Sequence, residues 1–235
     1  VTIWRTLWRD LKLFVGDAAL AASKDLRIEL RARTTLAQML PFAALVLVLF
    51  GFAFDANRPT LELATPGLLA MTMLFVAVVA VQRSVAVESF DGARRMLVLS
   101  GMAPAAVFAG KAAAVAVQLL IIMGLLTVGV VVLYDAAVES MLLVAATGVA
   151  AALGLATAGS LLGAVVAGVK TQQAVLSVLL LPVSAPVLVA ASRAFGDGFG
   201  TLAVNGWSWV GLLLAFVAVN AALGAAVYGA LLEDA

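Results

Sequence analysis

The chain of 235 residues contains neither histidine nor cysteine. Those two absences exclude a disulfide framework, thiol nucleophiles, zinc sites built on His or Cys, and haem held by an imidazole or thiolate. Charge is scarce as well. Its 14 basic and 13 acidic residues make up 11% of the sequence, where a soluble domain carries about 25%. So few charges cannot coat a globule of this size, which excludes a soluble enzyme and makes the bilayer the expected solvent. No Gly-x-x-x-x-Gly-Lys-Ser/Thr segment occurs, so the chain carries no P-loop. The long apolar runs hold no Asp, Glu, Lys or Arg, the groups with which ion-coupled transporters and pumps bind their driving ion. They also hold no acid–base pair or activated nucleophile, so a non-catalytic membrane subunit is expected.

What the sequence has in abundance is apolar surface: 65% of its residues are hydrophobic before 20 glycines are counted. Cut at its charges, the chain yields six apolar runs, 34–54, 63–82, 112–134, 140–169, 171–192 and 198–232. Each meets the requirement of about 20 residues for a membrane helix. Helices are expected over barrel strands because the runs are solidly apolar rather than alternating. The spans predicted are 36–54, 66–86, 105–133, 141–167, 173–191 and 207–232. A seventh run, 96–110, is short and broken by Ser100, Gly101 and Pro104, which predicts an interfacial segment leading into the third span. The fold class is therefore all-α and polytopic, with residues 1–33 as a cytoplasmic, amphipathic segment and 34–235 as a six-helix membrane domain.

The placement of charge sets the orientation. Arg5, Arg9, Lys12, Lys24, Arg27, Arg31 and Arg33 precede the first span, and Arg83, Arg94, Arg95, Lys111 and Lys170 join them on one side of a six-span chain. Only Arg58 and Arg193 fall opposite. Both termini are accordingly expected in the cytoplasm, with the chain in the inner membrane. No secretory signal is expected, since the first apolar run begins at residue 34. Trp4, Leu7, Trp8, Leu11 and Val15 share one helical face, from which Arg5, Arg9 and Lys12 are absent. This predicts a helix in the headgroup region. Residues 24–33 alternate like a strand, but Leu26/Leu30 and Glu29/Arg33 also suit a helix. A lone strand beside a membrane has no partner, so the helix is favoured.

Polar and small residues punctuate the later spans. The Gly196–Gly200 run predicts a flexible turn in an external loop. Asn220, Gly224 and Tyr228 recur at i, i+4, i+8, which suits an interhelical hydrogen bond beside a close-packing glycine. Gly159 and Gly163 stand at GxxxG spacing, with Gly154 and Gly168 nearby, and predict close helix packing, a substrate path being the alternative. Pro182 and Pro186, with Ser184 between them, predict a kink, or a hinge or cavity wall, because freed carbonyls at membrane depth must face protein or water.

The chemically dense stretch is 87–101, just beyond the second span. Glu88, Phe90, Asp91, Gly92, Arg94, Arg95, Leu97 and Leu99 mix acids, bases and apolar side chains. The stretch is either a solvated connection or a short amphipathic helix offered to a cytoplasmic partner. Six spans, no motor and a docking surface between spans two and three describe half of an ATP-driven permease.

At these residues the chain resembles CcmB, the haem exporter protein B family of cytochrome c maturation, within the wider ABC exporter permeases. The matching pieces are Lys24-Asp25-Leu26-Arg27-Ile28-Glu29-Leu30-Arg31, Phe52-Ala53-Phe54-Asp55, Pro66-Gly67 and Asp91-Gly92 with Leu97 and Leu99. Lys111, Gly168-Val169-Lys170 and Leu181-Pro182-Val183-Ser184-Ala185-Pro186 complete the set. They stand in family order from residue 20 onward, which makes residues 1–19 an extension. The resemblance implies a permease subunit that pairs with a CcmA-like ATPase and works with CcmC-like and CcmD-like subunits and a haem chaperone. ATP and magnesium would then sit on the ATPase and haem on the partner subunits, with no cofactor on this chain. Without His or Cys the chain has no strong axial ligand for haem iron, and its seven Met residues suit packing. A homodimer packed partly through Gly159 and Gly163 is expected, with no nucleic-acid partner. The alternatives are an ABC permease for a lipid or drug, and a structural membrane scaffold.

Overall fold

The structure is a computed structural model that describes residues 2–32, 34–89, 102–166 and 171–233, with side chains described for 12–29, 31, 37–87, 102–166 and 171–230. The described residues form seven helices and no strand. They are α1 (Thr2–Ala32), α2 (Thr34–Ala53), α3 (Arg58–Ser89), α4 (Pro104–Tyr134), α5 (Met141–Val166), α6 (Gln172–Gly198) and α7 (Gly206–Glu233). Ala, Leu and Val dominate α2 to α7, and a helix satisfies its own backbone where no water can. Five of them, α3 to α7, are long and apolar enough to cross a membrane. The described apolar part of α2 is shorter, Ala37–Ala53.

Hydrogen bonds between turns show how the helices alternate. The Tyr134 hydroxyl at the end of α4 donates to the Leu47 carbonyl in the last turns of α2, at 2.6 Å. Arg58, opening α3, pairs with Asp135, which follows α4. The Glu139 and Ser140 amides before α5 both donate to the Gly198 carbonyl that ends α6, each at 3.0 Å. The turns at 54–57, 135–140 and 199–205 therefore share one end of the bundle, and α2 to α7 run alternately up and down. Helix α5 packs against α3, α4, α6 and α7 and sits at the centre of the apolar core, with Leu155 and Ala156 buried.

Small residues explain that position. With lipid as apolar as the core, helix association rests on close packing. A Cβ on Gly159 would collide with the Val81 side chain, and one on Gly163 would sit 2.7 Å from Val85 Cγ2. The expectation that this face joins two copies is thus corrected: α3 of the same chain fills it. A second copy would need another surface.

Two further expectations change. In the 96–110 segment the helix is established from Pro104, whose ring suits the first helical turn; residues 96–101 lie outside the described ones. Ala106, Val107 and Phe108 are buried in the first turns of α4, so this part packs against neighbouring helices as the start of the span itself rather than as a separate segment before it. In the Gly196–Gly200 run, Gly196, Asp197 and Gly198 close α6 as helix, and both glycines are buried. Asp197 Oδ2 accepts the Gly206 amide at 2.8 Å, so this is a packed corner that starts α7. Gly200 alone takes the left-handed conformation, φ 67°, which glycine adopts without a steric cost.

Helix α1 is continuous through residues 24–32, where helix was favoured over strand. It packs along α4. A Cβ on Gly110 would lie 2.5 Å from the Ala18 carbonyl and 2.6 Å from Ala21 Cβ, so only glycine allows this approach. Asp25, Ile28 and Glu29 then lie beside Ala114, Val115 and Gln118, so α1 runs in the same sense as α4.

Candidate functional site at the foot of the bundle

Opposite the three short turns, α1, α3 and α4 enclose a crevice. Its polar lining is Asp25 and Glu29 from α1, Arg83 and Ser84 from α3, and Gln118 from α4; Ile28, Ala80, Val87, Ala114 and Val115 supply the apolar walls. The helical period explains the convergence: Asp25 and Glu29 are one turn apart, as are Ala80 and Ser84, and Ala114 and Gln118. Glu29 and Gln118 are buried. Asp25 pairs with Lys24 at 3.0 Å. Arg83 Nε is buried and meets no acceptor among the described residues.

Polar contacts continue around α3. Gln82 Nε2 donates to Ser177 Oγ at 2.5 Å and to the Gln173 carbonyl at 3.2 Å. The last turns of α3 are therefore tied to α6 on one side and face α1 and α4 on the other. The first turns of α4 are gripped in the same way. Gly110 admits α1, while Phe108 fills the space over Gly224 and packs at a tilt against Tyr228 of α7, ring centroids 5.5 Å apart. Lys111, between these contacts, is 6% exposed.

The expected site residues fall in different places. Glu88 lies in the last turn of α3, its side chain outside the described ones. Phe90, Asp91, Gly92, Arg94, Arg95, Leu97 and Leu99 lie outside the described residues, as do Gly168 and Lys170. Gly224 and Tyr228 meet at Phe108, but among the described residues Asn220 makes no hydrogen bond to another helix. Its Nδ2 donates to the Phe216 carbonyl in its own helix at 2.9 Å, which corrects the interhelical expectation. An amide can return to the carbonyl four residues back when no neighbour offers an acceptor in reach. Pro182 and Pro186 lie within one continuous α6. Having no N–H, they leave the carbonyls of Val178 and Pro182 without their helical donors. The buried Ser184 hydroxyl donates to the Leu181 carbonyl at 3.0 Å. None of these residues lines the crevice.

Reading the sequence missed Gln82, Arg83, Ser84, Gln118, Gln173 and Ser177. A signal was present: Gln118 is the one side-chain amide in the run 112–134, and Gln82-Arg83-Ser84 ends another run abruptly. Among the described residues no three metal-ligating side chains converge.

Two pieces far apart in sequence, Lys24–Arg31 and Lys111, thus belong to one corner of the fold. No curated protein matches the chain. The family model described as CcmB protein matches residues 18–234, beginning at the part of α1 that docks on α4 and covering every helix beyond it. Nearly the whole chain being matched, this multi-pass membrane protein belongs to the CcmB family, haem exporter protein B of cytochrome c maturation.

Proposed function

We propose that the chain is the permease subunit of an ABC-type complex, in which a separate CcmA-like ATPase drives haem delivery or release of a haem-loaded chaperone. One observation carries this reading: the foot of α3, from which the 87–101 connection departs, is tied to α6 through Gln82 and packed beside α1 and α4 at the crevice. A push on that connection would reach three helices at once. ATP binding shifts the membrane part only through contacts that differ between the two states of the ATPase. In this reading α2 is the sixth span, α1 up to Gly16 lies along the headgroups, and Pro182 and Pro186 let the two halves of α6 move. CcmC-like and CcmD-like subunits hold the haem, and two copies of the chain meet two ATPase subunits. Purification from mild detergent, with mass spectrometry of bound proteins and pigments, tests the assignment. Recovery of an ATPase and haem-handling subunits supports it, and a chain that changes no partner's ATPase rate is a scaffold.

Topology is directly testable because the chain has no cysteine of its own. Ala56→Cys and Ala137→Cys, at exposed positions in the short turns, should react with an impermeant thiol reagent in intact cells. Thr171→Cys, exposed at the opposite end, should react only after permeabilisation. The motive is the division of basic residues, twelve to two. Labelling of Thr171→Cys from outside would reverse the orientation.

A haem titration gives a second test. With no His or Cys, the isolated chain should bind haem weakly and without an ordered axial ligand. A sharp low-spin spectrum with stoichiometric haem on this subunit alone would overturn the assignment of haem to partners.

A further inference from the structure

We propose that the crevice between α1, α3 and α4 binds the headgroup of one phosphatidylethanolamine, drawn from the leaflet at the foot of the bundle. Its phosphate meets Arg83, Ser84 and Gln118, and its ammonium meets Asp25.

Depth is the first argument. Helix α3 carries no charge from Leu63 to Gln82, and the rise from Leu63 to Arg83 is about 30 Å, one hydrocarbon thickness. Leu63 is exposed on the bundle surface near the short turns. Arg83 therefore lies at the opposite boundary, where lipid phosphates are. Lys24 and Lys111 reinforce that level with further positive charge.

The second argument is the unmet donor. Arg83 Nε is buried without an acceptor among the described residues, and a buried unsatisfied donor bears its full desolvation cost. A guanidinium is the side chain best shaped to take a phosphate in parallel hydrogen bonds. Ser84 and Gln118 line the same space and add a hydroxyl and an amide as donors.

Charge then selects among phospholipids. Asp25 and Glu29 share the crevice with Arg83, so a purely anionic headgroup would gain one attraction and meet two repulsions. A zwitterion resolves the conflict by carrying a cation to the carboxylates. Glu29 is already engaged within the chain and contributes field. Asp25, whose partner Lys24 is 42% exposed, retains acceptor capacity for an ammonium. The walls formed by Ile28, Ala80 and Val87 suit the glycerol and the first methylenes of an acyl chain, which a free phosphoethanolamine lacks.

Lipid retention on the full chain decides the matter. The chain, with any subunits that co-purify, is placed in mild detergent with phosphatidylethanolamine or with phosphatidylglycerol of identical acyl chains, and bound lipid is read by native mass spectrometry. The expected result is one phosphatidylethanolamine per chain, retained at least tenfold better than phosphatidylglycerol. Arg83→Gln should lower that retention at least tenfold, while Arg193→Gln, at the other end, should not change it. Asp25→Asn should bring the two lipids to equal retention, and it decides the question if Arg83→Gln fails to accumulate. Millimolar phosphoethanolamine should displace nothing. Unchanged retention in Arg83→Gln, no preference between the lipids in the parent chain, a preference that survives Asp25→Asn, or displacement by free phosphoethanolamine would each overturn the proposal.

Discussion

Replacing Phe90 with alanine is expected to leave the chain inserted in the membrane while cutting cytochrome c maturation about tenfold or more. The expectation follows from how a motor outside the membrane can act on helices within it. If a separate ATPase drives the chain, as proposed, coupling needs a short element beyond the bilayer that grips it. The described part of α3 ends at Ser89 and α4 starts at Pro104, and more sequence separates them than any other pair of consecutive described helices at the foot of the bundle. Buried aromatic anchors dominate interface energies, and truncating one typically costs about 2 kcal/mol or more. That corresponds to more than tenfold in affinity. Leu97 and Leu99 add apolar area, Gly92 allows a sharp turn, and Asp91, Arg94 and Arg95 offer charges of both signs. Glu88→Ala should weaken ATPase association as well, since its position in the last turn of α3 places it where the helix meets the connection. Immunoblots of membranes, co-purified ATPase and covalent haem on cytochrome c are the readouts. Normal maturation in both variants would move the coupling site to the neighbourhood of Lys170 or to α1.

How far the sequence reveals this protein depends on which interactions decide each feature. Helix class and approximate extents are legible because membrane insertion reads apolar length, and α3 to α7 coincide with five of the predicted spans to within a few turns. The ends are less legible. α6 continues past Arg193 to Gly198 because Gly196 and Gly198 pack against Leu202 and Val144, contacts that no periodicity discloses. The use of small residues was legible as a tendency, but their partners were not. Gly159 could face any helix, and only the packed bundle shows Val81 there. Gly110 carried no signal, standing alone beside Lys111 in a short run. The crevice was hidden for a related reason. Its polar groups come singly from three helices, and each alone reads as the edge of an apolar run.

Gly110→Val is expected to detach α1 from the bundle, an effect second only to that expected of Phe90→Ala. The distances leave no other outcome for a side chain of that size. A Cβ alone would stand 2.5 Å from the Ala18 carbonyl oxygen and 3.1 Å from the Ala22 amide nitrogen, both backbone atoms of a helix. Rotamers can relieve a clash with a flexible side chain, but here the whole of α1 must shift. Overpacking a tight site typically costs about 1–3 kcal/mol, and two further methyl groups exceed what the contact between α1 and α4 can absorb locally. Asp25 and Glu29 would leave Arg83 and Gln118, opening the crevice. Lys24, Arg27 and Arg31 are exposed on the docked helix. Trypsin should cut at them at least tenfold faster once α1 is free to unravel, since proteolysis follows local opening. Gly124→Val in the same helix, where a Cβ would meet nothing within 4 Å, should leave the cleavage rate and cytochrome maturation near those of the parent chain. Equal trypsin resistance in the two variants would mean that α1 is held by contacts other than its close approach at Gly110.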